Sequence, residues 1–227
     1  MISHTQNAGE TATTSQQGSP GQPAPTHPAS EQYSALLSRV LDHQQDLSAS
    51  AYALGVTSSH AGEGVTTTAI NLSALAAGCP NRRVLLIDCA GARRRGGPAE
   101  RLGLTPTCGL SDALSGAALL GDCLISTRFD RLSFLAGGRE PGGLGHDYDP
   151  AAFRALLSEL KGEFDFVVVD LPAVDSSSNC TSMARLLDGV VLVIEAGRTD
   201  ARHADRAQQK LRTSGAALIG AVLNRTR

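Results

Sequence analysis

The chain has 227 residues, 41% of them hydrophobic, enough for one or two domains with a sizeable core. A formal net charge of −2 gives no electrostatic reason to expect a nucleic-acid partner. No apolar run approaches the roughly 18 residues of a membrane helix, and five cysteines without a C-x-x-C pair fit a reducing compartment better than a disulfide framework or a zinc knuckle.

In chain order, the opening Met1-Ile-Ser-His-Thr-Gln lacks the charged and apolar regions of a signal peptide, so a cytoplasmic protein is expected. Residues 1–30 are rich in Ser, Thr, Gln, Gly and Pro and hold hardly an aliphatic side chain. They cannot bury enough surface to offset ordering entropy, and a disordered tail is expected. Glu31–Leu47 is expected as a leading helix with Tyr33, Leu36, Leu37, Val40 and Leu41 on one side. From residue 51, apolar strands alternate with helical segments. The strands are expected at Tyr52–Thr57, Val84–Asp88, Arg131–Leu135, Phe164–Asp170, Val190–Glu195 and Ala217–Leu223. Helices are expected at Thr66–Ala77, Gly109–Leu120, Pro150–Lys161 and Asp200–Thr213, with Asp149 capping the third and Pro150 at its first position. Strands this apolar are buried on both faces. The fold expected for residues 31–227 is therefore one α/β domain, a mainly parallel, doubly wound sheet with helices on both faces.

Residues 58–67, Ser-Ser-His-Ala-Gly-Glu-Gly-Val-Thr-Thr, follow the first strand and open the next helix. They have the form of a phosphate-binding loop, G-x-x-x-x-G-K-[ST], whose backbone N–H groups cradle phosphates. Ser59 takes the first glycine position and Thr66 can supply a hydroxyl to Mg²⁺, but Val65 stands where the lysine belongs. The candidate nucleotide-binding residues are Ala61, Gly62, Glu63, Gly64, Val65, Thr66 and Thr67. A glycine-rich turn without a ligand is the competing reading of the loop alone.

Other strand ends favour the nucleotide. Phe164-Asp-Phe-Val-Val-Val-Asp170 is an apolar strand ending in an aspartate, the form of a Walker B segment whose carboxylate holds Mg²⁺. Asp88 ends a second such strand and can bind metal or activate a hydroxyl. The following Arg93–Arg95 run can supply the missing cation, although arginines in a loop are usually a solvated surface. Asn224, at the last strand end, carries an amide that can read a base edge.

With these pieces the chain resembles the cytoplasmic ATPase domain of bacterial tyrosine kinases (BY-kinases) of capsule and exopolysaccharide synthesis, within the MinD/ParA-like P-loop group. The resemblance runs from about residue 31 onward. Besides the loop and Asp170-Leu-Pro172 it rests on Gly109-Leu-Ser-Asp-Ala-Leu-Ser-Gly116, Leu132-Ser-Phe-Leu-Ala-Gly-Gly138, Gly189-Val-Val-Leu-Val-Ile-Glu195 and Leu218-Ile-Gly-Ala-Val-Leu-Asn224. It implies an ATP/ADP and Mg²⁺ site with Thr66, Asp88 and Asp170 at the metal, and Asp88 and Asp170 as the catalytic carboxylates. It also implies homo-oligomers and a separate membrane-spanning co-polymerase or activator as partner, which would recruit the protein to the inner membrane face.

The departures fall on functional positions. The Walker A lysine is Val65, and the second acid of the Walker A′ pair is Ala90. The assembly motif E-x-x-R-x-x-R aligns as Glu31, Ser34 and Leu37, and the signature lysine of the MinD/ParA group falls at His60. The only tyrosines are Tyr33, Tyr52 and Tyr148. Weakened nucleotide binding with poor turnover is the resulting expectation. The alternatives are an active kinase or ATPase whose lysine is replaced by another residue, and a MinD/ParA-like positioning ATPase.

Overall fold

Strands whose side chains are apolar on both faces can only lie at the centre of a covered sheet, and here they do. The computed structural model describes residues 30–91, 95–138 and 149–224. Residues 1–29 of the expected tail, Arg93, Arg94 and Tyr148 lie outside the described residues, while Ser30 already begins α1. The elements run α1 (Ser30–Asp46), β1 (Tyr52–Ser58), α2 (Val65–Gly78), β2 (Val84–Asp88), α3 (Pro98–Leu102), α4 (Leu110–Leu114) and α5 (Leu120–Cys123). They continue with β3 (Leu124–Ser126), β4 (Leu132–Leu135), α6 (Pro150–Glu163), β5 (Phe166–Asp170), α7 (Asn179–Ala184), β6 (Gly189–Glu195), α8 (Ala201–Thr213) and β7 (Leu218–Asn224). The seven strands order as β3-β4-β2-β5-β1-β6-β7, and every neighbour pair is parallel except β3 with β4.

Alternation along each strand divides the core in two. Phe166 and Val168 of β5, with Val84 and Leu86 of β2, join Leu72 and Ala76 of α2 and Tyr33, Leu37 and Val40 of α1. Val167 and Val169, with Leu85 and Ile87, face Phe153 and Leu160 of α6, Met183 of α7 and Leu211 of α8. Helix α2 lies against β1, β2 and β5 and carries α1 on its outer side. That double contact explains its small residues: Thr68, Ala69, Ser73, Ala76 and Ala77 are all buried. The Asp149 carboxylate accepts from the Ala151 N–H at 2.8 Å, capping α6 as its sequence predicts.

Of the expected helix over Gly109–Leu120 only Leu110–Leu114 (α4) is helical; a second short helix, α5, begins at Leu120 and runs beyond the expected range. Gly116 takes a left-handed φ of 73°, and the Ala117 N–H reaches back to the Asp112 carbonyl at 2.8 Å, a glycine-terminated helix end. Strand β3 and helices α3 and α7 have no counterpart among the expected elements. Each spans only three to six residues, too short to show a periodicity.

Candidate nucleotide site

The sheet order sets β1 between β5 and β6, so the loop after β1 opens where strand order reverses, at the carboxyl ends of the parallel strands. Ser58, Asp88, Asp170, Glu195 and Asn224 end β1, β2, β5, β6 and β7 on that rim. Gly62 and Gly64 turn the loop with φ of 91° and 101°, and Val65 begins the 14-residue α2. The helix thus presents its first-turn N–H groups and positive dipole end to the rim. The segment after β5 braces the other side. Leu171, Val174 and Asp175 donate their N–H groups to the carbonyls of Val56, Ser58 and Ser59 at 2.9, 2.9 and 3.2 Å.

At the floor, the Thr66 hydroxyl donates to Asp170 Oδ2 at 2.8 Å, with both residues buried. Asp88 is the register partner of Asp170 across β2 and β5, and its Oδ1 accepts from the Ala90 N–H at 3.0 Å. Cys89, which follows Asp88, is buried in the core. Desolvation first, then the negative charge of Asp88 and Asp170, pushes its thiol well above the usual range, so it stays protonated. A hydroxyl and two carboxylates are hard oxygen donors that suit Mg²⁺, a metal that keeps water and phosphate ligands rather than a full protein cage. No cluster of three or more His, Cys, Asp or Glu that could hold a metal occurs among the described residues.

A cavity of about 340 Å³ opens beside Thr66, which lines it, while the carboxylates of Asp88 and Asp170 lie behind its wall rather than in it. Of the sequence candidates, Ala61, Gly62, Gly64, Val65, Thr66 and Thr67 line it, joined by Ala90. Val65 is 8% exposed and packs in the apolar cluster under α1, leaving the cavity no cation from the loop. Glu63 is placed differently: its carboxylate is buried, accepting from the Thr199 hydroxyl and from the His60 N–H at 3.1 Å. The Asn224 amide donates to the Glu63 carbonyl at 2.9 Å, so it grips the loop itself. A Cβ on Gly64 would lie 2.0 Å from Asn224 Nδ2, which with its φ reserves that position for glycine. His60 has an acidic neighbour, its Nδ1 lying 3.4 Å from Asp175 Oδ2, and its ring stacks edge-on with His203 at 4.7 Å. The Asp175 carboxyl is held below its usual range, first by its hydrogen bond from Lys210.

These contacts distinguish base reading from loop bracing. Asn224→Ala is expected to weaken ATP and inorganic tripolyphosphate equally, by about fivefold, the worth of roughly one neutral hydrogen bond. Titration of both ligands checks this; a loss confined to ATP assigns the amide to the base.

Of the expected arginine run, Arg95 lines the cavity, while Arg93 and Arg94 lie outside the described residues. The sequence reading overlooked Arg101 of α3, which also lines the cavity and donates from Nη1 to the Thr67 hydroxyl at 2.8 Å. The available signal was Pro98 at a helix start and Gly103 at its end, which together mark α3.

No protein-family model matches the chain. Tyrosine-protein kinase CpsD of Streptococcus agalactiae is 32% identical over 173 residues, 76% of this chain and 74% of CpsD. The succinoglycan biosynthesis transport protein ExoP of Rhizobium meliloti is 28% identical over 180 residues, 76% of this chain but 22% of ExoP. The chimerical protein CapA2B2 shares the fold with a TM-score of 0.79, covering 90% of this chain and 88% of that one at 24% identity. The septum site-determining protein MinD of Pyrococcus horikoshii, solved with Mg-ADP, gives a TM-score of 0.62 at 27% identity, over 77% of this chain and 70% of MinD.

Proposed function

The chain belongs to the bacterial tyrosine-kinase (BY-kinase) family of capsule and exopolysaccharide synthesis, and we propose that it keeps the family's site as a nucleotide sensor with poor phosphoryl transfer. The observation that carries this reading is the juxtaposition at the loop. The Thr66–Asp170 hydrogen bond, which suits Mg²⁺, is intact, while the neighbouring Val65 is an apolar side chain packed into the core. The loop N–H groups would bind the phosphates and Thr66 and Asp170 would hold the metal, with Asp88 beside them. Bound Mg²⁺ would neutralise part of the phosphate charge. Without the lysine, the charge that grows on the transferring phosphoryl group lacks a preorganised donor in the loop, which slows turnover by orders of magnitude.

Among the described residues, self-phosphorylation has little to act on; Tyr148 lies outside them. Tyr33 is 8% exposed and Tyr52 fully buried, and burial raises the Tyr52 hydroxyl well above its ordinary pKa. At the three assembly-motif positions, Glu31 and Ser34 are exposed while Leu37 is buried in the core, so both arginines of a ring contact are missing. No helix among the described residues is long and apolar enough to cross a membrane. The partner in this reading is a separate membrane-spanning polysaccharide co-polymerase, which would bring this cytoplasmic protein to the membrane and read its nucleotide state. The likeness to a part of ExoP, a transport protein of succinoglycan synthesis, supports that pairing.

Calorimetric titration of ATP and ADP with and without Mg²⁺, followed by phosphate-release and phosphotyrosine assays on the same samples, tests the reading. The expected result is Mg²⁺-dependent binding with both assays at background. Steady Mg²⁺-dependent turnover at the roughly 1–100 s⁻¹ of an ordinary kinase would overturn it in favour of the active enzyme.

A further inference from the structure

Cations near the loop differ in what already neutralises them. Lys210 is paired with Asp175 at 2.7 Å and Arg198 with Glu195 at 3.1 Å. Arg198 lies close to Gly62, but its charge is committed to a buried carboxylate. Arg101 is unlike these. Among the described residues it has no carboxylate within ion-pair distance, and its fixed contacts are to uncharged oxygens. Its Nε donates to the Gly96 carbonyl at 2.7 Å and its Nη1 to the Thr67 hydroxyl at 2.8 Å.

The mounting is rigid for an exposed arginine. Glu100 Oε2 accepts from the Gly96 N–H at 2.6 Å, so the same short loop is held from both sides by neighbouring residues of α3. Two of the five guanidinium N–H donors are engaged, and the others remain for a ligand. Thr67 is the third residue of α2, so the guanidinium lies one hydrogen bond from the first turn of the helix that faces the cavity. Gly96, Arg95 and Arg101 form the cavity wall together, with Thr66 and Thr67 among the residues around the same space. A guanidinium there meets phosphate oxygens with the fork geometry they favour.

We propose that Arg101, braced on Thr67 and Gly96, supplies from α3 the cation for a nucleotide's terminal phosphates that Val65 cannot supply from the loop. The inference rests on the nucleotide-binding part of the reading above, and not on its poor phosphoryl transfer, and replaces the arginine run as a whole with one named side chain. It also accounts for Val65: with the charge arriving from α3, the first position of α2 is free to serve the apolar core.

The test compares ATP, ADP and AMP by calorimetry, with Mg²⁺, in wild type, Arg101→Gln, Arg101→Lys and the double variant Val65→Lys with Arg101→Gln. Arg101→Gln is expected to weaken ATP and ADP by roughly ten- to a hundredfold, the range for a charge-assisted contact, and AMP much less. Arg101→Lys should recover part of the loss and the double variant most of it. Unchanged ATP affinity in Arg101→Gln, or an equal loss for all three nucleotides, overturns the inference while the sensor reading stands. Absence of ATP binding in wild type overturns both. Thermal unfolding without ligand shows whether Arg101→Gln is folded; should it not be, Arg101→Lys, which keeps the charge but not the fork, decides by the same comparison of ATP and ADP against AMP.

Discussion

Asp170→Asn is expected to abolish the Mg²⁺-dependent part of nucleotide binding, lowering ADP affinity in Mg²⁺ by about a hundredfold and changing Mg²⁺-free binding little. The reason is where the charge sits. Asp170 ends a strand buried on both faces, is itself fully buried, and accepts from the Thr66 hydroxyl at 2.8 Å. An amide keeps the shape and can keep that hydrogen bond, but it removes the negative charge that attracts a divalent cation. The ligand-free protein should not suffer: the register partner of Asp170 is Asp88, so the substitution also removes a repulsion between neighbouring carboxylates. Calorimetry with ADP at zero and saturating Mg²⁺, beside thermal unfolding of the ligand-free variant, separates these effects. An Mg²⁺ dependence equal to that of wild type would mean that Asp170 is a strand-end carboxylate with no metal to hold.

The second large effect pulls two observables in opposite directions. Val65→Lys removes a nearly buried valine from the cluster it shares with Tyr33, Leu37 and Val40. The lost burial is worth about 1.5–3 kcal/mol, so the unfolding temperature of the ligand-free protein falls. Position 65 also lines the cavity, and a lysine can lay its stem along the apolar surface and bring its ammonium into that space. A new charge-assisted contact to phosphate contributes about 1.5–3 kcal/mol, so ATP affinity rises about tenfold or more, and phosphate release rises with it. The gain should be larger when Arg101 is already replaced, because two cations serving one triphosphate are not additive. Thermal unfolding and titration on one preparation measure both signs. A variant both less stable and weaker in binding would show that the lysine cannot reach the phosphates from this backbone.

What could be foreseen in the chain follows from the range of the forces involved. Apolar runs such as Val84–Asp88 and Phe166–Asp170 declare themselves because burial on both faces acts on every residue of the strand. The glycine loop and its flanking aspartates are contiguous motifs, and the fold brings them onto one rim. Side-chain destinations are less visible. Glu63 looks like a loop residue aimed at ligand, yet its carboxylate meets Thr199, 136 residues away. Arg101 meets Thr67 across 34 residues, through a helix too short to have a period. The break at Gly116 was present as a single glycine, but nothing local distinguishes a glycine that ends a helix from one that rides within it.

The bracing of the loop also has a bearing on how the protein comes into being. The loop is made early, at residues 58–67, but two of its ties, to Thr199 and Asn224, reach across 136 and 161 residues. Long-range pairings form late, after the closure entropy of the intervening chain has been met. During synthesis the segment that is to cradle phosphate therefore waits, in its final sequence but not its final shape, until β7 leaves the ribosome and docks on β6. In the nucleotide-binding reading, recognition would follow the docking of β7 on β6, and ligand binding would favour chains in which β7 is in place.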